Sequence, residues 1–188
     1  MVANIRQMTV EEYLAFDEAS EITNEYIDGE IIPMPGGTWK HNKIVAYMIM
    51  ALGNALVDHE CDVLGSQMRV RIDETKYVYP DASVVCGDAE FEDESEVTLR
   101  NPTVVVEVTS PSSLERDHVS KVELYGAVPS IQCYLILDQE RVFAECYTRA
   151  EDGWRLRQYA SPDDVIPLEP LACSLPLAGV YRRIVFDK

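Results

Sequence analysis

The stretch "VVVEVTSPS", residues 104–112, decides the fold because it sets one carboxylate inside a run of β-branched residues. Such a run favours a buried β-strand. Alternate side chains of a strand point to opposite faces, so Val104, Val106 and Val108 share one face and Glu107 lies on the other. A buried carboxylate is costly unless a partner compensates it. The stretch therefore predicts a central strand and a partner for Glu107 near its carboxyl end.

Hydrophobic periodicity on both sides of this strand predicts further helices and strands. The expected elements are a short helix capped at Thr9, a hairpin around Asp28-Gly29, a helix over roughly His41–His59, a helix over about Leu114–Ala127, and strands within "QMRVRI", "YPDASVV", "IQCYLILD", "RVFAECYT" and "WRLRQYA". The proline-rich tail is expected to be irregular, with one or two edge strands. The fold class is α/β (α+β), and residues 1–188 form a single domain.

Composition narrows the class of protein. The chain has 188 residues and 47% hydrophobic content, enough for one domain with its own core. Its N-terminal residues do not resemble a signal peptide, and no apolar stretch is long enough to cross a bilayer. Five scattered cysteines without a CxxC pair favour reduced thiols over a disulfide framework or a zinc site. These features predict a cytoplasmic protein that does not enter the membrane.

The charge argues against a general nucleic-acid binder. Sixteen basic and 33 acidic residues give a net charge of −17, whereas affinity for phosphates comes largely from Lys and Arg. The basic residues nevertheless gather in pairs, at Lys40/Lys43, Arg69/Arg71, Arg116/Lys121 and Arg182/Arg183. A net negative charge therefore leaves room for a local basic groove.

A second carboxylate, Asp81, follows Pro80 at the start of the preceding strand. If the two strands are neighbours, Asp81 and Glu107 converge at one end of the sheet, where open α/β sheets place ligands. Two like charges that close favour a cation between them. Equally open at this point is a plainer interpretation, in which Glu107 pairs with a basic side chain and Asp81 caps a turn.

A third candidate lies in the helix that follows the Glu107 strand. Asp117, Lys121 and Tyr125 are spaced at i, i+4 and i+8, so they share one stripe of that helix. Lys121 can then reach the carboxylate end of the sheet and stabilise a developing negative charge. The alternative is a surface ion pair between Asp117 and Lys121, worth about 0.3–0.5 kcal/mol.

Several ordered segments together resemble the Uma-type proteins, a bacterial group classed with restriction-type endonucleases in the PD-(D/E)XK nuclease superfamily. The resemblance runs from about residue 8 to 147. The segments are "MTVEEYLAF", "NEYIDGEIIPMPGG", "HNKI", "YPDASVV", "PTVVVEVTSPSS", "RDHVSKVELY" and "VPSIQCYLILD". The resemblance implies a restriction-endonuclease-like domain, a mixed central β-sheet flanked by helices.

The resemblance also implies roles for individual residues. Asp81 in "YPD" and Glu107 in "EVT" match the two acidic metal ligands, and the carbonyl of Val108 is a third ligand. The chain departs from the superfamily where a lysine should follow, because that position is Thr109. In Uma-type relatives the lysine has moved to the next helix, which matches Lys121.

Two N-terminal residues also match family positions. Glu25, in the hairpin "NEYIDGE", matches an acidic position that often adds an outer metal ligand. His41 matches as well, but as a lone histidine at a helix start it is equally a cap or a core contact. The implied activity is an Mg²⁺- or Mn²⁺-dependent endodeoxyribonuclease. Its partner is nucleic acid, with DNA expected, and a homodimer is also expected because cutting a duplex needs two sites.

Two other functions remain open from the sequence. The acidic composition and Thr109 are also consistent with a catalytically weak or inactive nuclease-fold module that binds or assists. A metal-dependent hydrolase with another substrate has no positive sign in the sequence. Cleavage of nucleic acid in the presence of Mg²⁺ separates the first alternative from the nuclease.

Overall fold

The computed structural model describes residues 7–34, 36–109 and 114–186, and the side chains of these residues except 114–119. Residues 110–113, which follow the "VVVEVT" strand, and the side chain of Asp117 lie outside the described residues. The elements in chain order are α1 Val10–Ala19, β1 Asn24–Ile27, β2 Glu30–Pro33, α2 Trp39–Ala55, β3 Cys61–Gly65, β4 Arg69–Asp73, β5 Lys76–Val78, β6 Ala82–Cys86, β7 Thr98–Leu99, β8 Val104–Thr109, α3 Leu114–Gly126, β9 Cys133–Asp138, β10 Ala144–Ala150, β11 Gly153–Tyr159, β12 Val165–Leu168, a 3₁₀ turn Glu169–Leu171, β13 Cys173–Pro176 and α4 Leu177–Val180.

The strands form two larger mixed sheets and one small one. The central sheet has six strands in the order β11-β10-β9-β8-β6-β3, and only β8 and β9 run parallel in it. A second sheet has the order β2-β1-β5-β4-β7, and β12 pairs with β13. The predicted α/β (α+β) class, with a mixed sheet flanked by helices, is confirmed. The sequence pattern did not indicate that the strands divide between separate sheets.

Strand β8 is covered on both faces, which explains its apolar run. All six of its residues are buried. Val104, Val106 and Val108 pack in one core cluster with the α2 residues Ile44, Met48 and Leu52. On the opposite face Val105 packs in a second cluster, with Tyr125 of α3 and Tyr134 of β9. Glu107 shares this second face, so it meets α3 rather than solvent.

Strand pairing brings the two predicted acidic residues together. Strand β6 runs antiparallel to β8, with Ala82 opposite Val106. The start of β6 therefore lies beside the end of β8, and Asp81, one residue before Ala82, comes next to Glu107. Because β8 and β9 are parallel, the chain must cross over between them, and α3 makes that crossover on the Glu107 face.

Local signals predicted the N-terminal elements well. Thr9 and Glu12 form a capping box at α1, and Asp28 and Gly29 both have positive φ in the β1–β2 turn. Helix α2 begins two residues earlier than expected, because Thr38 is its N-cap and accepts a hydrogen bond from the backbone N–H of His41. The helix ends at Ala55, four residues before the expected end.

The expectation of five free cysteines is wrong for one pair. Cys61 on β3 and Cys86 on β6 are cross-strand partners with Cα atoms 4.0 Å apart, and they form a disulfide. The two residues are 25 positions apart in the chain, so only the strand register brings them face to face. Cys133, Cys146 and Cys173 are free thiols.

The C-terminal tail is more regular than predicted. It forms β12, β13 and α4, and Leu168, Leu175, Leu177 and Val180 join the core cluster beneath α2. Among the described residues there is no helix long and apolar enough to cross a membrane.

Candidate active site

Asp81 stands at the entrance to β6 and is held from two sides. Its Oδ2 accepts a hydrogen bond of 2.7 Å from the backbone N–H of Val108, at the end of the neighbouring strand. The same oxygen lies 3.2 Å from Nε2 of His41, from the first turn of α2. The carboxylate is therefore tied to both the sheet end and the helix start, with only 15% of its side chain exposed.

Glu107 is buried in the site, with 6% of its side chain exposed. Its Oε1 accepts hydrogen bonds of 2.7 Å from Lys121 Nζ and 2.7 Å from the hydroxyl of Tyr125. Both donors come from the same stripe of α3, one turn apart. The helical spacing that predicted Lys121 near Glu107 thus also places Tyr125 beside it.

Glu25 completes the cluster from the β1–β2 hairpin. Its Oε1 lies 3.8 Å from Lys121 Nζ and accepts a long hydrogen bond of 3.4 Å from the backbone N–H of Tyr79. The ammonium of Lys121 is therefore shared between Glu25 and Glu107. All four side chains predicted for the site, Glu25, Asp81, Glu107 and Lys121, meet at one place.

The electrostatics of this cluster are unbalanced. Burial raises the pKa of Glu107 to about 7; the Lys121 ammonium acts to lower it, and the charges of Asp81 and Glu25 raise it further. Burial and the charge of Glu107 raise the pKa of Tyr125, so its hydroxyl stays protonated and remains a donor. Three carboxylates thus meet at Lys121 and, on the Asp81 side, at the imidazole of His41, and a cluster of acids this close favours an additional cation.

His41 is the residue whose role the sequence left open. Burial acts to lower the pKa of His41, but the hydrogen bond and charge of Asp81, with the charge of Glu107 and a backbone contact to Val108, leave that pKa raised. The ring therefore belongs to the site and not to the core. Its other nitrogen, Nδ1, is buried and has no hydrogen-bond partner among the described residues.

The structure shows what compensates the buried carboxylate of Glu107 and what remains uncompensated. The plainer interpretation expected a basic partner, and Lys121 is that partner. It did not expect Glu25 and Asp81 at the same point, which leaves more negative charge than Lys121 can neutralise. Asp81 also does more than cap a turn, because it contacts β8 and α2.

A cavity of about 300 Å³ opens beside the cluster. It lies between the β1–β2 hairpin and α3, and Glu25 and Lys121 form part of its wall. The remaining lining residues are Ile27, Glu30, Ile32, Val78, Ser120 and Leu124. The charged cluster is therefore accessible from a cleft with largely apolar walls.

Comparison with known protein families identifies the group to which the chain belongs. The model of the Uma2 family, described as "Putative restriction endonuclease", matches residues 10–178. The chain belongs to the Uma2 family. This confirms the resemblance seen in the sequence, and the match extends through the tail that the sequence motifs left out.

Relatives of this Uma2 member include two proteins of Synechocystis sp. (strain ATCC 27184 / PCC 6803 / Kazusa), both named only as uncharacterized. One, sll1609, is 33% identical over 160 residues, covering 84% of this chain and 90% of the relative. The other, slr1290, is 31% identical over 182 residues, covering 96% and 94%. A crystal structure described as a putative nuclease belonging to DUF820 from Anabaena variabilis superimposes with a TM-score of 0.78. It covers 95% of this chain and 99% of that one, at 18% identity, so it shows a shared fold.

Proposed function

We propose that this Uma2 member is a divalent-metal-dependent endonuclease that hydrolyses phosphodiester bonds, with DNA as the substrate and Mg²⁺ or Mn²⁺ as the cofactor. The observation that carries the proposal is the meeting of Asp81, Glu107 and Lys121 where β6 begins and β8 ends. A homodimer belongs to the same proposal, since two sites are needed to cut both strands of a duplex. A cytoplasmic location also belongs to the proposal; the Cys61–Cys86 disulfide is unusual for that compartment, where most thiols are kept reduced.

The chemistry of the donors fits a hard divalent cation. Among the described residues no group of three or more His, Cys, Asp or Glu side chains forms a ready metal cage. Mg²⁺ does not require one, since it keeps several waters and takes one or two carboxylates together with substrate phosphates. Asp81, Glu107 and the carbonyl oxygen of Val108 would hold it, and all three are oxygen donors at the same end of the sheet.

The bound cation would supply Lewis acidity toward the scissile phosphate and a bound water of lowered pKa. The remaining roles follow from the contacts of this chain. Tyr125 fixes the Glu107 carboxylate through its hydroxyl. Lys121 lies within hydrogen-bond reach of Glu107 and would stabilise the negative charge that develops on the phosphate. Glu25 lies 3.8 Å from Lys121 at the wall of the cleft and would help to hold the attacking water.

The direct test is cleavage of a mixed pool of single- and double-stranded DNA. We expect products with Mg²⁺ or Mn²⁺, none with EDTA, and none from the Asp81→Asn variant purified in parallel. The Asp81→Asn control matters because a contaminating nuclease would be unaffected by it. Equal cleavage by both proteins, or no cleavage under any metal condition, would refute the proposed activity.

The rival function is a nuclease-fold module that binds nucleic acid but is catalytically weak or inactive. Thr109 favours it, because this residue stands where the superfamily carries its lysine. Its hydroxyl is buried and has no hydrogen-bond partner within the described part of the chain. Binding that is unaffected by Asp81→Asn, together with no cleavage by the unaltered protein, would support this rival.

A glycine substitution tests the role of His41. A Cβ atom on Gly37 would lie 2.4 Å from His41 Nδ1, whereas one on Gly36 would meet nothing within 4 Å. In Gly37→Ala the imidazole must therefore shift, and its contact with Asp81 is expected to loosen. Cleavage should fall by roughly tenfold to a hundredfold, the scale for misplacing a group at a reactive site. Gly36→Ala is the matched control. Equal cleavage rates for the two variants would mean that the position of His41 does not affect catalysis.

A further inference from the structure

The outer face of helix α2 carries an exposed aromatic ring among cations. Trp39 is 78% exposed, so the flat face of its indole is open to solvent. Lys43 and Tyr47 follow it at i+4 and i+8 and so lie on the same stripe of the helix. From the C-terminal segment, Arg182 reaches this stripe with its guanidinium and Arg183 reaches it with its backbone carbonyl. These five residues are named here the Trp39 face.

Contacts within the Trp39 face hold the cations close to the rings. Lys43 Nζ lies 5.8 Å from the centre of the Trp39 ring and 5.9 Å from that of Tyr47. The guanidinium of Arg182 lies 5.0 Å from the Tyr47 ring. Lys43 Nζ also donates a 2.6 Å hydrogen bond to the backbone carbonyl of Arg183, which ties the tail to the helix. These contacts connect the residues of the Trp39 face to one another.

The Trp39 face is locally basic in a strongly acidic chain. Several cations elsewhere are neutralised by carboxylates, as Arg69 is by Asp17 and Lys76 is by Asp28 and Asp73. Lys43, Arg182 and Arg183 form no ion pair with a carboxylate in the described ranges 7–34, 36–109 and 114–186. In a chain of net charge −17 this is a local site where a phosphate backbone is attracted instead of repelled.

We propose that the Trp39 face binds single-stranded nucleic acid. An unpaired base stacks on the indole of Trp39, while Lys43, Arg182 and Arg183 contact the flanking phosphates. Stacking on an exposed aromatic ring beside cations is the common way to hold a single strand without reading its sequence. A base inside a duplex is already stacked on its neighbours, so the geometry selects unpaired segments.

The position of the face connects it with the candidate active site. His41, two residues after Trp39 on the same helix, contacts Asp81. A strand bound on the outer flank of α2 therefore lies about one helix diameter, roughly 10–12 Å, from the carboxylates. The identification of this bound strand as the substrate rests on the proposed function. Binding of a single strand at the Trp39 face does not depend on catalysis.

The experiment uses the two tryptophans of the chain as separate reporters. In an Asp81→Asn background, which prevents cleavage, Trp154→Phe leaves only Trp39, and Trp39→Phe leaves only Trp154. Each full-length protein is titrated at low salt with a single-stranded oligonucleotide of about 12 nucleotides and with a blunt duplex. We expect the single strand to quench Trp39 emission, with little change in Trp154 emission and a weaker response to the duplex.

Affinity measured by anisotropy of a labelled oligonucleotide gives the second readout. Trp39→Ala should weaken single-strand binding about 5- to 150-fold, the range for losing one stacked base. Lys43→Met should weaken it and reduce the slope of log affinity against log salt by about 0.7, the value for one phosphate on a single strand. Lys76→Met is the matched control, since Lys76 is occupied by two carboxylates, and it should change neither quantity.

Two results would overturn the inference. One is single-strand binding that leaves Trp39 emission and the Trp39→Ala affinity unchanged. The other is Trp39 emission that shifts with protein concentration and ignores the oligonucleotide, which would assign the face to a second copy of the chain. Quenching of Trp39 without any cleavage by the unaltered protein would support single-strand binding at the Trp39 face and refute the proposed catalysis. Cleavage without quenching would refute only the binding at the Trp39 face.

Discussion

Replacing Lys121 with methionine is expected to slow cleavage roughly 10²–10³-fold, the scale for losing one preorganised electrostatic group. The ammonium of Lys121 lies 2.7 Å from Glu107 and 3.8 Å from Glu25, at the wall of the cleft. Methionine keeps the length and apolar stem of the side chain but removes the charge. The loss should therefore appear in the rate of the chemical step, measured as single-turnover cleavage at saturating metal and substrate.

Saturating metal is essential in this comparison. Lys121 is the group that lowers the pKa of Glu107, so its removal leaves that pKa above the present value of about 7 and lets protons compete with the metal. Lys76→Met serves as the control, because Lys76 is a lysine with 24% of its side chain exposed that pairs with Asp73 and Asp28 outside the site. If Lys121→Met and Lys76→Met cleave equally fast, Lys121 is only a structural ion pair.

The second large effect concerns stability and a buried ion pair outside the candidate active site. Arg69 Nη1 lies 3.0 Å from Asp17 Oδ2, and the two side chains are 9% and 3% exposed. Asp17 also accepts hydrogen bonds from the Tyr79 hydroxyl and from the backbone N–H of Asn24, while Arg69 Nε donates to Thr98. This network joins α1 to the β4 and β7 strands of the second sheet.

Arg69→Met should lower the free energy of unfolding by about 3–5 kcal/mol, because it leaves the Asp17 carboxylate buried without a cation. Urea unfolding at neutral pH measures this loss. Arg71→Met is the matched control: Arg71 pairs with Glu92 at 3.3 Å, but both side chains are partly exposed, so the cost should stay below about 1 kcal/mol. Equal costs for the two variants would mean that the Asp17–Arg69 pair contributes little.

The parts of the fold and site that could be predicted from the sequence are those encoded by local patterns. The β-branched run fixed the two faces of β8, and helical spacing placed Lys121 and Tyr125 on one stripe. Asp81 followed from its place at the start of a strand. Each of these inferences needed only the period of one element and the assumption that β6 and β8 are neighbours.

What could not be predicted depends on how distant elements meet. Nothing in the pattern of α2 tells which end of the sheet its first turn faces, so His41 remained undecided until the structure placed it beside Asp81. The Cys61–Cys86 disulfide depends on the register of β3 against β6. The division into two sheets likewise follows from long-range pairing, such as that of β1 with β5, which leaves no periodic signal in the chain.

The central claim is that Asp81 and Glu107 share a divalent cation, and calorimetric titration with Mn²⁺ tests it most directly. The unaltered protein should bind Mn²⁺, while Asp81→Ala and Glu107→Ala should each lose that binding and still unfold cooperatively, as expected of intact folds. Glu74→Ala, which removes a carboxylate from the β4–β5 turn, should bind Mn²⁺ like the unaltered protein. Unchanged Mn²⁺ affinity in both the Asp81 and the Glu107 variants would contradict the shared site and leave Glu107 as the buried partner of Lys121 alone.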